Sequence, residues 1–150
     1  MKLQVVDISV PCTAPPDIVF DILRDAANWS TWSAAKKTRL EKQGTPAPDG
    51  VGAIRIFGTG PFSSREEVVA YNPPTHFAYV LHKGLPVRAY RADVTITPVG
   101  QGCTIAWHST FYGKYPGTGT LNRLALTYFL RDTAKRLAKT AGARISTTSS

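Results

Sequence analysis

The feature that most constrains this chain is a change of period. Between Leu3 and Tyr112 apolar and polar residues alternate in short runs, each cut off by glycine or proline. After Pro116-Gly117 the alternation gives way to one long run with helical spacing. Alternation by two makes strands with one buried face, and spacing of 3.6 makes an amphipathic helix. A sheet buried on one face needs a cover, and one long helix supplies it.

Residues 3–10 form the first strand, with Val6, Ile8 and Val10 on one face and Leu3, Val5 and Asp7 on the other. Thr13-Ala-Pro-Pro-Asp17 then opens a helix. Thr13 is the candidate cap, the prolines suit the first turn, and Asp17 and Asp21 favour the positive helix end. Ile18, Val19, Ile22 and Leu23 form its apolar stripe, and Asn28 to Trp32 form a second short helix or turn. Six strands follow, over 38–42, 52–58, 64–71, 76–82, 88–97 and 103–112, with turn signals between them. The last helix runs over about 120–141 with Gly142 as its C-cap. Leu121, Leu124, Ala125 and Tyr128 make one apolar row, beside a second row of Leu126, Phe129, Leu130, Thr133 and Leu137. Residues 1–145 thus read as a single domain and 146–150 as a disordered tail with nothing to bury.

Charge is unevenly spread. The chain carries a net charge of +8, but residues 1–75 hold eight basic and eight acidic side chains. Residues 76–150 hold ten basic residues against Asp93 and Asp132 alone, with Arg123, Arg131, Lys135, Arg136, Lys139 and Arg144 on the last helix. Such asymmetry can mean an anionic partner, but the solvated face of an amphipathic helix is the plainer account. Basic residues that bind nucleic acid are usually interleaved with exposed aromatics, whereas Tyr128 and Phe129 fall in the apolar half, so no nucleic acid is expected. No apolar run reaches the roughly 20 residues of a membrane span, and no secretion signal opens the chain. Cytoplasmic placement is therefore expected, with Cys12 and Cys103 as buried reduced thiols. No His, Cys, Asp or Glu spacing suggests a metal, and no cofactor is implied.

The alternation also assigns an interior. Cys103, Ile105, Trp107, Ser109 and Phe111 share the more apolar face of the last strand. Tyr90, Ala92, Val94 and Ile96 face inward with them, as do Phe77, Tyr79 and Leu81, and Phe57 is a further candidate. Tyrosine and tryptophan keep a polar end that a solid core must satisfy, so these rings are candidates for lining a cavity under Leu124, Ala125 and Tyr128. Trp29 or Trp32 is expected near its mouth. Arg55 sits mid-strand; one register turns it inward with Ala53 and Phe57, the other leaves it in solvent. Turned inward it needs an anion, which Glu66 or Glu67 could supply.

Strand, two short helices, six strands and a long helix occur here in order. Along them lie Val19-Phe20, Trp29, Trp32, Gly50-Val-Gly-Ala-Ile-Arg55, Glu66-Glu-Val-Val-Ala-Tyr-Asn-Pro-Pro74, Gly84-Leu-Pro86 and Gly102-Cys-Thr-Ile-Ala-Trp107. Over residues 2–141 this resembles the START-like (SRPBCC) superfamily of the polyketide cyclase/dehydrase and lipid-transport type. The resemblance implies a helix-grip fold: a curved seven-stranded antiparallel sheet packed on a long C-terminal helix. It implies binding of a hydrophobic small molecule, lipid- or polyketide-like, between sheet and helix. The alternative it implies is a cyclase or dehydratase using a buried arginine with tyrosines or serines. The expected site comprises Trp29, Trp32, Arg55, Phe57, Glu67, Tyr79 and Leu81 from the first half, and Tyr90, Trp107, Ser109, Phe111, Leu124 and Tyr128 from the second. Which of these would be catalytic is open, as are catalysis itself and a homodimer. A third reading is an interaction module working through the basic helix.

Overall fold

The computed structural model describes residues 2–148, which build one sheet and one core. Strand β1 (Gln4–Cys12) leads into helix α1 (Pro16–Arg24) and a short 3-10 helix, Ala26–Thr31. Then come β2 (Thr38–Lys42), β3 (Ile54–Phe57), β4 (Ser64–Asn72), β5 (His76–Lys83), β6 (Val87–Val99) and β7 (Gly102–Gly113). Helix α2 (Gly119–Thr148) ends the described chain. The sheet order is β1-β7-β6-β5-β4-β3-β2, antiparallel throughout. It is the helix-grip fold.

Strand faces follow the alternation. Val6, Ile8 and Val10 are buried on β1; Ile105, Trp107 and Phe111 on β7; Tyr90, Ala92, Val94 and Ile96 on β6. Burying each such aliphatic or aromatic side chain is worth about 1.5–3 kcal/mol. First and last strands pair, with Ile8 opposite Trp107 and Cys12 opposite Cys103.

Local signals near the helix ends were overridden by contacts. Thr13 does not cap α1; extended Pro15 precedes it and Pro16 opens it without a side-chain cap bond. Proline at the first position has no N–H to leave unsatisfied, so less capping is needed. Gly142 is not a C-cap, because α2 continues to Thr148. It lies where α2 crosses the start of the α1 segment, and a Cβ there would come within 2.9 Å of Thr13 Oγ1. Glycine here permits a close approach rather than a turn. Of the expected tail, residues 146–148 continue the helix and 149–150 lie outside the described residues.

Helix α2 packs on β1, β7 and α1. Its buried stripe is Leu126, Leu130, Thr133, Ala134, Leu137 and Ala141, a single narrow face. Leu121, Leu124 and Tyr128 of the other apolar row are exposed. At about 100° per residue, positions 124 and 128 lie about 160° around the helix from Leu126, pointing away from the sheet. Because α2 settles at the β1–β7 end, the inner faces of β3 to β6 are left partly uncovered.

Candidate functional site

That uncovered region is a cavity of about 460 Å³. Phe57 of β3, Glu66 of β4, Tyr79 and Leu81 of β5, Tyr90 of β6 and Trp107 of β7 form its sheet side. Ala125, Leu126, Phe129, Leu130 and Thr133 of α2 form the other, and Trp29 and the Ser33–Ala35 loop close one end. Gly84 and Leu85 stand at the rim. Gly84 has a positive φ of 127°, and a Cβ there would strike Ser64 Cβ at 2.5 Å, so the rim turn takes glycine alone. A volume of this size holds a small organic ligand, since such sites run from about 300 to 1,000 Å³.

The polar groups come in two layers. In the wall, Trp107 Nε1 donates to the Tyr79 hydroxyl at 3.2 Å, which orients that ring. Tyr90 lies beside Tyr79, with ring centroids 6.3 Å apart, and stacks on Phe111 at 6.0 Å. Burial pushes the Tyr79 hydroxyl well above the usual tyrosine value and that of Tyr90 up to about 12. Both therefore stay protonated and can donate.

Behind the wall is Arg55, fully buried. Its Nη1 donates to the Leu23 carbonyl at 3.1 Å, and Trp29 Nε1 donates to the same oxygen at 2.8 Å. Leu23 is in the last turn of α1, where carbonyls lack helical partners and a cation is favoured. One backbone oxygen thereby ties together α1, the following 3-10 helix and β3. The guanidinium also faces Trp29, Phe77, Phe57 and Tyr79 rings at 4.8, 5.0, 5.1 and 5.8 Å. Such contacts are worth more when desolvated, about 2 kcal/mol.

Arg55 Nη2 meets Glu66 Oε1 at 3.3 Å, and Glu66 is opposite Arg55 in the β3–β4 register. The Glu66 side chain is 13% exposed. Burial pushes its carboxyl up to about 7, with Arg55 pulling the other way. Near neutral pH the cavity wall therefore holds a carboxyl that both gives and takes a proton, anchored from behind by a fixed cation.

Among the sequence-selected residues, Trp29, Phe57, Tyr79, Leu81, Tyr90 and Trp107 stand in the cavity wall. Arg55 is inward but sits one layer back. Trp32 is buried against Trp29, with centroids 4.6 Å apart, outside the wall. Phe111 lies behind Tyr90, and Ser109 is fully buried beside the same ring. Leu124 and Tyr128 face away from the cavity, for the azimuthal reason above. Glu67 also points away, its Oε1 accepting from His82 Nε2 at 2.9 Å on the outer face.

The exchange of Glu67 for Glu66 has a local cause. Phe77 and Tyr79, two apart on β5, face Tyr71 and Val68, three apart on β4. One extra residue between Val68 and Ala70 reverses the alternation along β4. Counting back by twos from inward Tyr71 reaches Glu67; past the bulge the inward residues are Val68 and Glu66. Sequence carried no signal for this reversal, since Val68 and Val69 are both apolar and either could face inward. Ser33, Ala34, Ala35, Ser64 and Gly84 carry none either, being small residues whose role comes from where loops land.

Among the described residues no group of His, Cys, Asp and Glu could hold a metal ion. What the geometry defines is a helix-grip domain with a hydrophobic, ligand-sized cavity and one carboxyl in its wall. The chain belongs to the polyketide cyclase/dehydrase and lipid transport family, whose model matches residues 4–142. No curated protein sequence matches it. Norcoclaurine synthase from Thalictrum flavum is similar in structure, with a TM-score of 0.72 at 18% identity over 92% of this chain and 86% of that one. The di-domain ARO/CYC protein BexL from the BE-7585A biosynthetic pathway superposes with a TM-score of 0.76 at 17% identity, over 93% of this chain and 50% of its own. Ara h 8.0201 does so at 0.75 with 11% identity, over 93% and 98%. At these identities the likeness is one of fold.

Proposed function

We propose that this protein binds a small, largely apolar molecule with one oxygenated edge, held between the first half of α2 and β3–β6. The observation that carries the reading is the cavity of about 460 Å³ whose carboxyl and phenol groups, Glu66, Tyr79 and Tyr90, are gathered on the sheet side, while Thr133 opposite donates its hydroxyl to the Phe129 carbonyl at 2.9 Å. An apolar body would fill the Trp29, Leu126 and Leu130 side, while a hydroxyl or carbonyl would meet the tyrosine hydroxyls and the Glu66 carboxyl. Binding is tested with Nile red. Its emission should rise and shift to the blue with the native chain, and Ala125→Phe, which fills the rim, should weaken it at least tenfold while the thermal transition is kept. Unchanged emission with the native chain, or equal binding by Ala125→Phe, would count against the reading.

Glu66 favours a second reading, catalysis of proton transfer next to a carbonyl. A general base works best with a pKa near the working pH, and this carboxyl has one. Tyr79 and Tyr90 would donate to the oxygen as an enolate forms. Deuterium uptake from heavy water into an enolisable, aryl-substituted ketone such as phenylacetone reports the step directly. The expected result is exchange above the buffer rate that Glu66→Gln abolishes; equal rates in the two proteins leave binding alone.

A further inference from the structure

The first half of α2 presents an apolar face that covers nothing. Leu121 is 69% exposed, Leu124 57%, Tyr128 79% and Phe129 48%. Spacing of three, four and seven places Leu121, Leu124 and Tyr128 on one side of the helix, and Phe129 flanks them toward the cavity. Two loops extend this face. Pro86 O accepts from Asn122 Nδ2 at 3.3 Å and from the Lys114 backbone N–H at 3.0 Å, so the β5–β6 loop, the β7–α2 loop and the first turn of α2 meet. They add Leu85, 41% exposed, and Tyr115, 55% exposed. Leu85 and Phe129 also line the cavity, so the apolar face runs into its rim.

The charges around this face have one sign. Between Asp93 and Asp132 the sequence has no acidic residue, while Lys114, Arg123 and Arg131 fall in that stretch and Arg88 lies just before it. Among the described residues none of the four forms an ion pair; Asp132 is taken by Arg136 at 2.8 Å. Apolar side chains on one helical face, framed by free basic groups, match the boundary between headgroups and acyl chains of an anionic bilayer. A second copy fits worse, because a two-fold contact would bring the same four cations together with no carboxylate to meet them.

We propose that this end of the molecule docks on an anionic membrane surface through Leu121, Leu124, Tyr128 and Phe129, with Lys114, Arg123 and Arg131 on the phosphates. Docking would set the rim, Leu85 and Phe129, against the acyl region, where an apolar ligand enters or leaves without crossing water. The docking stands on the exposed residues; the passage of ligand rests on the cavity reading above.

The test is flotation of the full chain with vesicles of phosphatidylcholine alone or with added phosphatidylserine. Binding is expected with phosphatidylserine only, falling as salt rises. Leu121→Asp with Leu124→Asp should abolish flotation, and Arg123→Glu should weaken it on the order of fivefold. Both variants should keep the native thermal transition and Nile red binding, so loss of docking is separable from loss of the cavity. Three outcomes overturn the proposal: no flotation of the native chain, flotation unchanged in the double variant, or a dimer in solution that the double variant dissolves. Salt-sensitive capture by polyglutamate beads but not by vesicles would also overturn it, in favour of an acidic protein partner.

Discussion

Glu66 shows how one side chain turns a packing position into chemistry. Well below pH 4.5 this carboxyl is protonated in folded and unfolded chains alike. As pH rises from there the unfolded chain loses the proton first, because burial holds the folded carboxyl up to about 7. Stability therefore falls across that window and levels off above it, on the order of 1.4 kcal/mol for each unit of separation. Glu66→Gln should flatten this part of a pH series of thermal or urea transitions; a slope that persists would place the titration elsewhere. Arg55 is the opposite case, a charge that stays. Arg55→Ala should destabilise by about 3–5 kcal/mol, since it leaves the buried Glu66 without its cation and removes one of the two donors to the Leu23 carbonyl. Trp107, 1% exposed, should cost about 3–5 kcal/mol as Trp107→Ala, read from urea midpoints.

At the scale of elements, α2 and β4 decide the site. Type and rough extent of both are legible in the residue pattern. Their orientation is not, because both apolar rows of α2 satisfy helical spacing. Two substitutions separate the faces. Leu137→Ala, at a fully buried position, should cost about 2–5 kcal/mol in urea unfolding, whereas Leu124→Ala should stay within about 0.5 kcal/mol. The reverse order of costs would mean the helix presents the other row to the sheet. On β4 the bulge after Val68 is the deciding feature, since it fixes which glutamate reaches the cavity. Bulges re-aim side chains near sites, and nothing in Glu66-Glu-Val-Val-Ala-Tyr71 announces this one.

For the whole molecule, the pairing of first and last strands closes the fold and sets Cys12 opposite Cys103. Both thiols are buried and free, and burial with Cys12 alongside pushes the Cys103 thiol up to about 12. They should react with a thiol reagent only as the sheet opens, so native protein should label slowly and denatured protein should yield two thiols at once. Rapid native labelling, or fewer than two thiols on denaturation, would contradict this.

Seven strands, a long last helix, and the inward faces of β1, β6 and β7 were determined by the sequence alone. Each depends on spacing within one run, and spacing is a local property. The tertiary structure alone decided that Glu66 rather than Glu67 faces the cavity, that Arg55 backs it, and that Leu124 and Tyr128 turn outward. It also decided that α2 runs through Gly142. Those outcomes depend on how elements meet: a bulge shifts one strand against the next, a helix rotates to seat its smallest and best-fitting stripe, and a glycine lets two segments cross. No single run of residues contains that information, because the energy that selects it lies in contacts between runs.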